Sequence, residues 1–393
     1  MQCQNLNSSS NLYPNLIHES LDPKSKKYLA TYFCEGCFEH EECINSSNVE
    51  QFLAISRQLH HDKLQYECEN FLRNNSLCRR LSLGPKSKNE ASRYQLMFIG
   101  NREDRPSGPL VCHLYDCRKN FQKICQIPEL SGVGAGCAVC CLQDHGYDAP
   151  HVYVSGGGKC SGDVYHCDIV LNKRKRCSKR LVKGRSLHCM TCVQNKLYVF
   201  GGKNNKGEVI CSIEEFTSKR HSWKIVGNLE VAVHSACAIK HDNKIYVFGG
   251  ILDNGKETPN VQVYDPQTKT CKILTSLPFP TSEGQAVVRN GKIFVACGNG
   301  RLVSYDPDSN QNVICTHMPV CCTNFAMFAE KEGIFFAGGK TLNDDNALKT
   351  VYVYSPETCT WHVTDRDLSS PLSVYGNCSV EIPADYGLVP FFS

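Results

Sequence analysis

The stretches "KLYVFGG" (196–202) and "KIYVFGG" (244–250) are near copies of one another. In each, β-branched and aromatic residues run into a pair of glycines. That is the pattern of a buried strand that stops at a turn whose backbone angles are open to glycine. Working outward, "HVYVSGG" (151–157), "KIFVACG" (292–298) and "GIFFAGG" (333–339) repeat the pattern, and "QLMFIGN" (95–101) is an earlier, weaker copy. The last five copies end at Gly157, Gly202, Gly250, Gly298 and Gly339, in steps of 45, 48, 48 and 41 residues. Self-similarity at such a period marks a repeat architecture.

A second element follows each glycine: "HLYDCRKNF" (113–121), "SIEEFTSKRHSW" (212–223), "VQVYDPQTKTC" (261–271), "LVSYDPDSN" (302–310) and "VYVYSPETCTW" (351–361). An alternating strand carries an aromatic inward, and in the later copies a proline preset for the second position of a tight turn follows it. Seven residues separate Phe216 from Trp223, Tyr264 from Cys271 and Tyr354 from Trp361, which sets the next strand in register. A third element, such as "AVHSACAIKHDN" (232–243) or "GQAVVRNG" (284–291), is a small-residue strand ahead of each glycine strand. A four-stranded unit of 41–57 residues, repeated six times with no helical periodicity between, predicts a mainly β chain. The architecture expected is a β-propeller of six blades over residues 94–393. Its structural positions are Gly156, Gly157, Gly201, Gly202, Gly249, Gly250, Gly298, Gly338, Gly339, Phe216, Trp223, Tyr264, Tyr305, Tyr354 and Trp361. The first glycine strand, Leu96–Ile99, lacks a small-residue strand before it. "YGNCSVEI" (375–382) has that pattern, so the C-terminal strand is expected to pair with the first and remove the open edge.

These residues resemble kelch repeats, whose mark is a double glycine after a strand, then a Tyr, then a Trp at fixed spacing. The resemblance covers about residues 94–393. The copies at Gly202, Gly250 and Gly339 match well, Cys297 replaces a first glycine, and the copies at Gly100 and Gly157 are degenerate.

Upstream, "NVEQFLAISRQLHHDKLQYECENFLRNN" (48–75) reads as two short helices. Ser47 and Glu50 form a capping box ahead of Val49, Phe52, Leu53 and Ile55, and Asp62 caps a second stripe of Leu64, Cys68, Phe71 and Leu72. With "YLATYFCEG" (28–36), the segment resembles the C-terminal end of a BTB domain. The matching residues are Tyr32, Cys34 in place of a second Tyr, Gly36, Asn48, Val49, Phe52, Leu53, Cys68, Phe71 and Leu72. The organisation expected is a disordered 1–19, a mainly helical partial BTB-like segment over 20–76, a linker over 77–93, and the propeller. The dimer-forming half of BTB is expected to be missing, with little or no helical BACK domain. The resemblance implies a substrate-recognition adaptor of a cullin-RING ubiquitin ligase, in which BTB holds the cullin and kelch holds a protein substrate. Some kelch proteins instead hold actin or another cytoskeletal protein, and that scaffold role is the alternative.

The net charge of +4, from 43 basic and 39 acidic residues, argues for neither a nucleic-acid nor a membrane partner. No apolar run approaches membrane-spanning length. The N-terminus lacks a basic start and an apolar stretch, so a cytoplasmic location is expected, with the 26 cysteines reduced. "YFCEGCFEHEEC" (32–43) offers Cys34, Cys37, His40 and Cys43 at zinc-like spacing. Residues three apart on an extended segment point to opposite faces, so the reading favoured is a reduced Cys-rich helix end with no metal. The same argument makes Cys140 with Cys141, Cys189 with Cys192, and Cys321 with Cys322 buried thiols. The basic run "NKRKRCSKRLVKGR" (172–185) holds Lys173, Arg174, Lys175, Arg176, Lys179, Arg180, Lys183 and Arg185. It suits a nuclear-import peptide, a docking patch for an anionic partner or a solvated edge strand, and the edge is favoured.

No catalytic motif is present: there is no nucleophile elbow, no H-E-x-x-H, no phosphate loop. Some kelch proteins are copper oxidases, and His188 and His234 precede inner strands at what read as matching places. Neighbouring repeats put Glu283 and Asn324 there, so no enzyme and no cofactor is expected. The binding surface expected is the set of loops that leave the glycine pairs: 101–110, 203–209, 251–260 and 340–349. Its candidate residues are Arg102, Asp104, Arg105, Lys203, Asn205, Lys206, Asp253, Lys256, Glu257, Asn343, Asp344 and Asp345. Polar loops on a rigid scaffold suit recognition of a protein segment.

Overall fold

The glycine-ended runs become strands with one face in each neighbouring core, so they read as nearly continuous apolar stretches. The computed structural model describes Phe52, Ile55, Leu64 and Cys68, the strands at 92–99, 111–116 and 121–125, and most of 136–382. Within that last span, 143–150, 159, 169–172, 218–221, 344–345, 366 and 369 are not described.

The chain divides into two compact units, Met1–Lys88 and Asn89–Ser393. In the first, Phe52, Ile55, Leu64 and Cys68 are helical and buried. The rest of segment 20–76, the tail 1–19 and the Cys34, Cys37, His40 and Cys43 group lie outside the described residues.

The second unit is a β-propeller, and its described residues form six four-stranded antiparallel sheets. The first holds β1 (Ser92–Ile99), β2 (Val111–Asp116) and β3 (Phe121–Cys125); the second, β4 (Cys137–Leu142), β5 (His151–Gly156), β6 (Val164–Asp168) and β7 (Lys173–Arg176). The third runs through β8 (Cys189–Val193), β9 (Lys196–Phe200), β10 (Ser212–Thr217) and β11 (Ser222–Asn228). The fourth is β12 (Cys237–His241), β13 (Lys244–Phe248), β14 (Val261–Asp265) and β15 (Thr270–Leu274). The fifth is β16 (Gln285–Arg289), β17 (Lys292–Ala296), β18 (Arg301–Asp306) and β19 (Gln311–His317). After the two-residue β20 (Cys322–Thr323), the sixth holds β21 (Ala326–Glu330), β22 (Gly333–Ala337), β24 (Val351–Ser355) and β25 (Thr360–Val363), while β23 (Lys340–Thr341) pairs with β20. The last strand, β26 (Val374–Ile382), completes the first sheet beside β1. That sheet begins at Ser92, two residues ahead of the boundary expected at 94, because Ser92 and Arg93 pair with Ile382 and Glu381 on the long C-terminal strand.

The innermost strands β4, β8, β12, β16, β21 and β26 neighbour one another in that order, and β26 returns to β4. Apolar cores fill the wedges between sheets. Phe248, Val261 and Tyr246 pack with Phe279, Ile293 and Tyr305 across one wedge, for example. The seven-residue spacing is a cross-strand register: Phe216 opposes Trp223, Tyr264 opposes Cys271, and Tyr354 opposes Trp361. Both tryptophan rings lie 5.2 Å from their partners, close enough for a favourable aromatic pair.

The glycine pairs tie one sheet to the next. Gly157 N–H donates to Arg185 O (3.0 Å), Gly202 N–H to Val233 O (2.9 Å), Gly250 N–H to Thr281 O (2.8 Å) and Gly339 N–H to Leu372 O (2.8 Å). At Gly201, φ is +59° and a Cβ would stand 2.2 Å from Val233 O, so only glycine fits. Cys297 is tolerated because the fifth sheet turns differently. Its chain folds straight back, with Cys297 N–H donating to Arg301 O and Gly300 N–H to Cys297 O.

Candidate functional site

Two features concentrate polar and reactive groups: the loops that leave the glycine pairs, and the channel that the inner strands enclose. The loop 203–209 is a compact turn organised by Asn204. Its Oδ1 accepts from Lys206 N–H (2.9 Å) and Glu208 N–H (3.0 Å), and its Nδ2 donates to Glu208 Oε2 (2.7 Å). Lys203 is half-buried, paired with both Ser186 and Val209, whereas Asn205 and Lys206 are exposed. The loop 251–257 is built alike. Lys256 N–H donates to Asn254 Oδ1 (3.0 Å), and Asp253, Lys256 and Glu257 are exposed. The two loops meet where Val209 N–H donates to Asp253 Oδ1 (3.3 Å), so their side chains form one surface. Glu257 Oε1 accepts from Ser282 Oγ (2.6 Å), which carries that surface to the lead-in of β16. Asn343 is exposed on the sixth sheet. Arg102, Asp104, Arg105, Asp344 and Asp345 lie outside the described residues.

The channel has a volume of about 770 Å³ and takes lining from all six inner strands. One or two residues ahead of five of these strands, β4, β8, β12, β16 and β21, a residue adopts left-handed backbone angles: Gly136, Leu187, Ser235, Glu283 and Asn324. Around this mouth the backbone forms a relay. Leu187 N–H donates to Gly136 O (2.7 Å), Ser235 N–H to Leu187 O (2.7 Å), Glu283 N–H to Ser235 O (2.9 Å), and Val374 N–H to Asn324 O (2.6 Å). A leucine, a hydroxyl, a carboxylate and an amide therefore occupy equivalent places on the rim. Only Gly136 and Asn324 hinted at this in the sequence, because glycine takes left-handed angles freely and Asn tolerates them better than other non-glycine residues.

This register corrects the reading of the two histidines. His188 follows the left-handed residue of its sheet and His234 precedes that of the next, so the two are not equivalent and point differently. His188 is buried, shares a 2.9 Å hydrogen bond with Ser155 Oγ, and is pushed down to about 3 by burial and then by Arg185. His234 is pushed down to about 4 by burial and then by the Lys203 ammonium. Among the described residues, no three His, Cys, Asp or Glu side chains stand where they could hold one metal ion.

The basic run needs a second correction. β7 is an outermost strand, paired only with β6. Arg176 and Arg180 both bind Asp163, at 2.6 and 2.9 Å. Arg185 is not part of any basic surface, since it is fully buried and paired with Glu214. It also donates to Gly201 O (2.8 Å) and Ser212 O (3.0 Å), while Glu214 accepts from Val182 N–H (2.7 Å) and Lys183 N–H (2.9 Å). Nothing in the run itself announces this, because the carboxylate partner comes from the third strand of the following repeat.

Comparison with known proteins gives three results. Residues 144–316 and 187–386, together more than half of the chain, match the family described as the KLHDC2/KLHL20/DRC7 Kelch-repeats domain. Kelch-like protein 38 of Mus musculus and that of Rattus norvegicus are each 30% identical over 221 residues, 53% of this chain and 38% of the relative. The chain thus spans well under half the length of the curated relatives it matches. The solved structure of YjhT superposes with a TM-score of 0.57 over 72% of this chain and 99% of its own, at 13% identity, a likeness of fold alone.

Proposed function

The chain belongs to the KLHDC2/KLHL20/DRC7 kelch-repeat family, and we propose that its propeller is a non-enzymatic module that docks a protein substrate for a cullin-RING ubiquitin ligase. In this reading the six sheets are six blades, and the BTB-like segment 20–76 supplies the cullin contact. One observation carries the docking role. The loops 203–209 and 251–257 are internally braced, joined through Val209 and Asp253, and mounted on glycines clamped to the next sheet. Such a surface is ordered before a partner arrives, so little conformational entropy is lost on binding. Lys206, Asp253, Lys256 and Glu257 present both signs of charge there, which favours a polar protein segment over an anionic polymer.

The test uses the full-length chain with a purified cullin and, separately, with filamentous actin in co-sedimentation. Cullin binding, with ubiquitin transfer to a co-purified protein that is lost when Lys206, Asp253 and Lys256 are replaced by Ala, is the expected result. Actin binding without cullin would replace the adaptor with the cytoskeletal scaffold.

A further inference from the structure

The inner strands bring together sulfur atoms that the order of the chain keeps apart. Cys140 and Cys141 lie on β4, Cys192 on β8 and Cys378 on β26, and all four line the channel on three neighbouring strands. Adjacent residues of β4 do face opposite ways, as strand geometry requires, but each face meets a cysteine from the next strand round the ring. Cys140 belongs to the core between the β4–β7 and β8–β11 sheets, and Cys192 packs against that core from β8. The two thiols are therefore packed in one core, on facing inner strands of adjacent sheets. Lys240, at the equivalent place on β12, is exposed beside the channel.

The two thiols are unequal. The neighbouring Cys140 thiol, opposed by burial and helped by the Lys240 charge, holds the Cys192 thiol below its ordinary range. Contact with Cys192, then burial, pushes Cys140 up. Cys192 therefore gives up its proton first while Cys140 keeps its own. The neighbouring Cys189 behaves oppositely, pushed up to about 12 by burial.

We propose that Cys140 and Cys192 are a modification site, an oxidisable dithiol that closes to a disulfide between the β4–β7 and β8–β11 sheets in the presence of hydrogen peroxide. The Cys192 thiolate attacks one peroxide oxygen; an S–O bond forms, the O–O bond breaks, and the departing hydroxide leaves as water with the proton Cys192 had released. The Cys140 sulfur then attacks the Cys192 sulfenic sulfur. The S–S bond forms, the S–O bond breaks, and hydroxide departs as water with the Cys140 proton. Two thiols are oxidised to one disulfide and one peroxide is reduced to two waters.

The experiment treats the reduced full-length chain, cleared of reductant, with stoichiometric hydrogen peroxide, blocks remaining thiols with iodoacetamide and maps the peptides. Tandem mass spectrometry separates Cys140 from Cys141 and Cys189 from Cys192, which are close in sequence. The expected product is a Cys140–Cys192 cross-link, with two hydrogens lost per molecule and reversal by dithiothreitol. Before oxidation, Cys192 is expected to alkylate about tenfold faster than Cys189. In Cys140→Ser the cross-link is lost and dimedone traps Cys192 as its sulfenic acid. If that variant does not fold, the wild-type map and the alkylation rates decide alone. A link to Cys189 in place of Cys192, links spread evenly among channel cysteines, no link at all, or equal alkylation of Cys189 and Cys192 each overturns the proposal.

Discussion

The third and fourth sheets carry two of the best copies of the repeat, yet they brace their lead-in segments with different chemistry. In the third, Glu214 on β10 accepts from Val182 and Lys183 N–H groups and pairs with buried Arg185. In the fourth, Gln262 on β14 stands at the same register and serves Val231 alone, accepting from its N–H (2.9 Å) and donating to its carbonyl (3.0 Å). The place of Arg185 is taken there by Val233, which is also buried. What this position supplies in both sheets is an acceptor for the lead-in amides. An amide does so without charge, whereas a carboxylate brings a charge that a buried cation must balance.

The largest effect should come from breaking the charged version. Glu214→Ala leaves Arg185 buried without its counter-charge and is expected to cost about 3–5 kcal/mol in denaturant unfolding. Gln262→Ala should cost less, about 1–3 kcal/mol, because only neutral groups lose their partners. Equal losses would mean that the charge is irrelevant to the difference. Next in size are the glycines, where the sheets should behave alike. A Cβ on Gly201 or Gly249 meets a carbonyl oxygen at 2.2 Å in both, at φ of +59° and +62°. Gly201→Ala and Gly249→Ala should each cost at least about 1–3 kcal/mol, matched within error by thermal unfolding.

Acid should separate the sheets again. His188 stays neutral in the folded chain down to about 3, whereas in the unfolded chain it protonates near 6.5. Its contribution is therefore complete above 6.5 and is lost as the pH falls from there toward 3, by up to about 1.4 kcal/mol per pH unit. Ala236 holds the equivalent place in the fourth sheet. Urea midpoints at pH 7.5 and 5 should converge in His188→Gln, and an unchanged slope would remove His188 from the explanation. A smaller effect is expected from grafting the neutral bracing. Arg185→Val with Glu214→Gln should lie within about 2 kcal/mol of the parent, since a buried pair replaced as a unit leaves no orphan charge. A double variant no better than Glu214→Ala would show that the arginine braces more than its partner. Smallest of all, Lys206→Ala and Lys256→Ala should shift stability by less than about 0.5 kcal/mol, since both side chains are exposed. Their readout is loss of partner affinity.

Much of the propeller was legible because each glycine-ended strand is a local event with its own steric cause. The spacing from Tyr264 to Cys271 could be counted for the same reason: a tight turn fixes the register of the strand after it. Arg185 was not legible. In the chain it is one more cation in a basic run, and its burial depends on a carboxylate from β10. His188 and His234 were misaligned because their places are set by which residue takes the left-handed angle, and Leu187 gives no sign of that. The cysteines failed the same way. Alternation correctly set Cys140 and Cys141 apart, but it is silent about Cys192 one strand away on the ring.

The pairing of Ser92 with Ile382 has a kinetic consequence. The innermost strand of the first sheet, β26, is the last strand of the propeller to be made during synthesis, so the ring cannot close until the whole propeller has emerged. Until then β1 presents an unpaired edge, a template for association with other chains. Closure joins the first and last strands of the propeller, the kind of long-range contact that slows folding most. Trimming or mutating β26 should therefore lower the yield of soluble protein more than it lowers the stability of molecules that have already closed.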